Sequence, residues 1–101
     1  MNPLIEQHRE ELWALARRYH VRRLDLFGSA ARDDFHEASD LDFVVEFEDL
    51  GQDQYADHYF GLREALIDLF DRPVDLLMAS AIDNPYFIEK MNASRVAIYG
   101  D

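Results

Sequence analysis

The sequence predicts an α/β sandwich, and three observations carry that prediction. Apolar residues recur at spacings of three and four in some segments and of two in others, and the two kinds of segment take turns along the chain. Asn2-Pro3 and Asn84-Pro85 each place a capping side chain directly before a residue suited to the first helical turn. Of the 101 residues 49% are apolar, enough for a single modest core, so one domain spanning 1–101 is expected.

The elements follow in order. Leu4, Ile5, His8, Leu12, Leu15, Ala16 and Tyr19 share one helical face, which predicts a helix from Asn2-Pro3 to about Tyr19. Leu24 and Leu26 alternate with their neighbours in a strand ending at Gly28, and Asp25 between them reads as a solvated strand residue in preference to one near the site. Ser29 is placed to cap a short helical turn through Ala30-Ala31-Arg32, and the polar run Asp33 to Ser39 is a loop. Leu41, Phe43, Val45 and Phe47 alternate with Asp42, Val44 and Glu46, a strand with one apolar face. After a polar connection containing Gly51, the residues Tyr55, Tyr59, Leu62, Leu66, Leu69 and Phe70 predict a helix. Gly61 inside it costs about 1 kcal/mol relative to alanine, which points to close packing there. Val74, Leu76 and Met78 form a third strand, Asn84-Pro85 opens a helix to about Met91, and Arg95 to Tyr99 is a closing β-prone run. The expected order is α-β-α-β-α-β-α-β, without repeat or linker.

Composition narrows the function. Without cysteine there are no disulfides and no thiolate metal sites, which fits a reducing cytoplasm. The first residues lack a basic-then-apolar leader, and no apolar run approaches the ~20 residues that span a bilayer. A net charge of -11 repels nucleic acid, so no direct nucleic-acid binding is expected, and metal ions or a basic protein are the fitting partners. Lys90 is the sole lysine among ten basic residues; Arg17-Arg18 and Arg22-Arg23 are the one local cluster, expected to pair with acids.

The chemistry resides in Gly28-Ser29, Asp40, Asp42 and Asp75. A strand ending in Gly-Ser and turning into a helix exposes backbone N–H groups that favour phosphate oxygens. Asp40 and Asp42, two apart on a strand, share a face, while Leu41 and Phe43 point to the core. Adjacent carboxylates repel unless a cation lies between them, and Mg²⁺ takes one or two carboxylates plus substrate phosphates. Asp75, between Val74 and Leu76, brings a third carboxylate on another strand, so the three are able to hold two metals roughly 3.5–4 Å apart. Asp40 has a plainer use as a turn cap. Asp42 and Asp75 lie within strands, where aspartate is depleted.

The runs Leu26-Phe27-Gly28-Ser29-Ala30-Ala31-Arg32 and Ser39-Asp40-Leu41-Asp42-Phe43-Val44-Val45 closely resemble the minimal nucleotidyltransferases (MNT) of the DNA polymerase β-like superfamily. Arg72-Pro73-Val74-Asp75-Leu76-Leu77 resembles their third-acid strand, and Val96-Ala97-Ile98-Tyr99 their last one. The resemblance implies a small mixed sheet flanked by helices, with two Mg²⁺ ions and ATP at its mouth. It also implies that Gly28, Ser29 and Arg32 serve the nucleotide, that Asp40, Asp42 and Asp75 bind metal, and that Asp75 helps to activate the acceptor hydroxyl. Family members often carry glycine where this chain has Asp33 and Asp71; aspartate tolerates a left-handed backbone. Stand-alone domains of this kind resemble antitoxins paired with a HEPN ribonuclease toxin, which implies transfer of AMP from ATP to a tyrosine of that toxin.

Two other readings stand beside it: an antitoxin that blocks its toxin by binding alone, and a nucleotidyltransferase with a small-molecule acceptor. Against the last, 101 residues leave no second domain for a substrate pocket. His8, His20, His36 and His58 show no metal-ligand spacing, and Trp13 reads as core or partner-facing surface.

Overall fold

Leu24, Leu26, Leu41, Phe43, Val45, Leu76 and Ile98 are all buried, and together they form the inner face of one four-stranded sheet. A computed structural model describes residues 3–28 and 40–100. Its elements are α1 (Pro3–Gln7), α2 (Arg9–Arg18), β1 (Val21–Phe27), β2 (Leu41–Phe47), α3 (Tyr55–Phe70), β3 (Val74–Met78), a 3₁₀ turn (Ala79–Ala81), α4 (Pro85–Ser94) and β4 (Val96–Tyr99). The Asn2 cap, the helical turn expected at Ser29–Arg32 and the loop from Asp33 to Ser39 lie outside the described residues, as do His36 and the side chains of Ser29 and Arg32.

The strand order is β3-β2-β1-β4. β1 runs antiparallel to both β2 and β4, and β2 runs parallel to β3, so the sheet is mixed. The parallel pair requires a crossover, which α3 supplies. Ile5, Leu12 and Ala16 from the first two helices and Leu62, Leu66 and Phe70 from α3 cover the inner face. Phe70 stacks on Phe43 with ring centroids 6.1 Å apart. The Tyr59 hydroxyl donates to the Leu76 carbonyl at 2.6 Å, tying α3 to β3. The opposite face carries a smaller apolar group, Phe27, Val44 and Met91, roofed by α4.

Several local expectations are met for visible reasons. Asn84 Oδ1 accepts from the backbone N–H groups of Tyr86 and Phe87, satisfying two donors at the start of α4. Asp71 ends α3 with φ 52, the left-handed cap that glycine often fills. A Cβ at Gly61 would fall 2.6 Å from the Tyr19 ring, so the glycine lets α3 pack against the end of α2. Of the arginine cluster, Arg22 pairs with Glu46 at 2.7 Å and Arg23 with Asp25 at 2.9 Å, while Arg18 lies over the Tyr19 ring. Trp13 is 39% exposed, and its indole N–H donates to the Ile98 carbonyl.

Two expectations are corrected. The first helix is broken at His8, whose φ of -115 and ψ of 17 leave the helical region. Its ring lies 2.9 Å from the Leu4 carbonyl and edge-on to Phe70, contacts that favour a bend. Ile5 and Leu12 remain on one side, so the sequence period runs through the break without a mark. The second correction concerns Asp25, which is fully buried rather than solvated.

Candidate functional site

Three strand ends meet at one end of the sheet. Phe27 pairs with Asp42 across the antiparallel β1–β2 ladder, and Asp42 pairs with Asp75 across the parallel β2–β3 ladder. Residues in register on neighbouring strands share a face. Leu41 and Val74, the preceding residues, are buried in the main core, so Asp42 and Asp75 point to the opposite face. That face is the one on which Phe27, Val44 and Met91 pack. Asp42 is half-buried and Asp75 exposed. Asp40 lies one residue ahead of β2 and is exposed; the Leu41 N–H donates to the Pro73 carbonyl at 3.2 Å, which binds the starts of β2 and β3 together.

Gly28 follows Phe27 directly and has φ 74, a value side chains rarely tolerate. A Cβ built on it would fall 2.3 Å from Asp42 Oδ2. Glycine is thus required twice, for its backbone conformation and for the room it gives the carboxylate. The Gly28 N–H donates to Ser94 Oγ at 3.3 Å, so the last turn of α4 holds this corner.

One residue further on, Arg95 donates from Nε to Asp25 Oδ2, which Arg23 also meets. Asp25 lies two positions before Phe27 on the same face, where a buried carboxylate needs paired charge. These contacts pin the α4–β4 junction to β1. Ser94 and Arg95 carry no mark in the sequence as parts of this corner, and Asp25, whose placement near the site is the less favoured reading of the sequence, belongs to it. The signal for Asp25 was present, because aspartate is as unusual in β1 as in β2 and β3.

Carboxylate oxygens are the donor set that a hard divalent cation takes. Among the described residues no group of three His, Cys, Asp or Glu side chains is drawn close enough to hold a metal ion by itself. The in-register pair Asp42 and Asp75 still fits Mg²⁺, which commonly uses one or two carboxylates and completes its shell with phosphate and water. Among the described residues no helix is long and apolar enough to cross a membrane.

Comparison with known proteins agrees with this geometry. The family model described as a nucleotidyltransferase domain matches residues 5–98. MJ0128, a candidate protein adenylyltransferase of Methanocaldococcus jannaschii, is 40% identical over 72 residues, 71% of this chain and 70% of that one. MJ0126, a candidate protein adenylyltransferase of the same organism, is 31% identical over 84 residues, covering 82% of this chain and 79% of its own. The solved structure of a candidate minimal nucleotidyltransferase superposes with a TM-score of 0.74 and 28% identity, covering 91% of this chain and 90% of that chain. A toxin–antitoxin crystal structure with AMP-PNP has the same fold, with a TM-score of 0.71 at 21% identity over 92% of this chain and 73% of that one.

Proposed function

The chain belongs to the nucleotidyltransferase domain family, and from that premise we propose that it is an antitoxin that transfers AMP from ATP to a tyrosine of a HEPN-type ribonuclease toxin. The observation that carries the reading is the pair Asp42 and Asp75, in register on adjacent strands, with Gly28 against the Asp42 carboxylate. Two carboxylates in register on adjacent strands repel unless a cation lies between them, and a hard cation there suits an anionic substrate.

Asp42 and Asp75, with Asp40 at the mouth, are the residues that would hold Mg²⁺. When bound, the ions neutralise triphosphate charge and favour attack at phosphorus. Gly28, with Ser29 and Arg32 after it in the sequence, serves the triphosphate. Asp75, the more exposed of the in-register pair, takes the proton of the acceptor hydroxyl as its oxygen bonds to the α-phosphorus. The bond from that phosphorus to the β-phosphate bridging oxygen breaks, and pyrophosphate leaves.

The partner is argued from relatives and from charge. The matched Methanocaldococcus proteins bear the name of protein adenylyltransferases. A solved neighbour of the same fold is an MNT antitoxin in complex with a tri-AMPylated HEPN toxin of Shewanella oneidensis. A ribonuclease needs cationic surface to meet RNA, and a chain of net charge -11 complements it. Such a pair would meet ATP in the cytoplasm.

The test is transfer of label from α-labelled ATP to a HEPN ribonuclease supplied as acceptor. Asp42→Asn is expected to abolish labelling while leaving thermal unfolding cooperative. Undiminished transfer by that variant would remove Asp42 from the mechanism. A triple Asp→Asn variant that still protected cells would replace catalysis with simple occlusion.

A further inference from the structure

Between the end of β1 and the inner face of α4 lies a cavity of about 180 Å³, lined by Phe27, Gly28, Phe87, Lys90, Met91 and Ser94. We propose that this cavity is the nucleobase subsite, in which the purine ring of ATP is held; the proposal rests on the adenylyl-transfer reading above.

Its size is the first argument. Pockets for drug-sized ligands begin at about 300 Å³, so this one suits a single ring system rather than a whole nucleotide. Its chemistry is the second. Positions 87, 90, 91 and 94 fall on one face of α4 by helical spacing, and they present an aromatic ring, an ammonium, a thioether and a hydroxyl. Met91 is 5% exposed and forms the apolar floor with Phe27. Phe87, 37% exposed, stands nearly perpendicular to the Phe27 ring with centroids 6.0 Å apart, so its orientation is fixed while part of it stays open. An apolar slot with a fixed aromatic wall is how proteins take a base without reading its edges. Lys90, the chain's sole lysine, lines the cavity and is exposed, which favours a polyanion approaching a chain of net charge -11.

Position is the third argument. Gly28 lines the cavity and also abuts the Asp42 carboxylate. A nucleotide is one covalent molecule, and only a ribose separates its base from its α-phosphate. A cavity that shares Gly28 with the Asp42 carboxylate is within that reach. The walls are fixed in advance, because Ser94 accepts from the Gly28 N–H and Arg95 pairs with the buried Asp25. An acceptor tyrosine, carried by a folded partner, would have to leave its own surface to enter here, whereas the base of a free nucleotide need not.

The experiment measures binding of Mg²⁺–ATP and of Mg²⁺–tripolyphosphate to the full chain, wild type and variants. Phe87→Ala is expected to weaken ATP about tenfold, the scale of one base–aromatic contact, and to leave tripolyphosphate unchanged. Phe87→Tyr keeps the ring and is expected to restore ATP binding. Tyr86→Ala, at a neighbouring position 82% exposed, is expected to change neither. Equal loss of both ligands in Phe87→Ala would show a structural role and overturn the proposal. So would unchanged ATP affinity, and if partner binding weakened instead, the cavity would belong to the acceptor. Wild type that bound neither ligand would overturn the adenylyl-transfer reading itself, and the base subsite with it.

Discussion

Gly28 and Asp42 share one volume: a Cβ on the glycine would lie 2.3 Å from the Asp42 Oδ2 atom. Neither residue can be described without the other. The glycine ends β1 in a left-handed conformation, and the carboxylate occupies the space that a side chain would take.

Gly28→Ala therefore combines backbone strain with a displaced carboxylate. Strain at a positive φ costs about 1–2 kcal/mol, which the fold should survive. On the proposed function a displaced Asp42 carboxylate costs far more in rate, and transfer of label from ATP is expected to fall by about 100-fold or more. Thermal unfolding and label transfer, measured on the same preparation, separate the two effects. Activity within a few-fold of wild type would show that the carboxylate tolerates the move.

Asp75 can be examined without any acceptor. A ligand that binds only the folded chain raises its stability, by about 2.7 kcal/mol at a hundred times its dissociation constant. Mg²⁺ with a non-hydrolysable ATP analogue should raise the wild-type melting temperature, and Asp75→Asn should lose most of that rise. Full retention of the shift would take Asp75 out of the metal set.

Asp25 and Arg95 predict a stability cycle. Asp25 is fully buried, and removing a partner leaves a buried charge only partly compensated by Arg23. Arg95→Met is expected to cost about 3 kcal/mol, and Asp25→Val combined with Arg95→Met to recover much of it. Denaturant unfolding of the single and double variants measures the coupling. Strict additivity would show that the pair does not interact.

Gly61→Ala tests packing against propensity. Alanine favours a helix by about 1 kcal/mol over glycine, yet its Cβ would meet the Tyr19 ring at 2.6 Å. A net loss of about 1 kcal/mol is expected, and Tyr19→Ala in the same chain should turn the alanine into a gain. Chemical denaturation of the four combinations decides it; a stabilised Gly61→Ala single variant would show that the ring moves aside freely.

Local chemistry made much of this molecule legible in advance. The period-two pattern of β2 places Asp42 opposite Leu41 and Phe43 whatever the strand pairs with, and Asn84-Pro85 starts α4 through contacts within four residues. Likewise the left-handed cap at Asp71 needs nothing beyond its own helix end. Pairing is another matter. That β1 lies between β2 and β4, and that Asp75 stands beside Asp42, depend on which strands meet, and periodicity encodes a face but not a neighbour. Asp25 shows the same limit most clearly. Its sequence surroundings allow a solvated strand residue, and it is buried because Arg95, 70 positions away in the chain, folds back to pair with it. Local pattern reads out β2, α4 and the faces of the acids, and motif likeness the family, but not the break at His8. Strand register, the approach of Gly28 to Asp42 and the cavity beside them come only with the folded chain, because each depends on long-range contacts that no local pattern specifies.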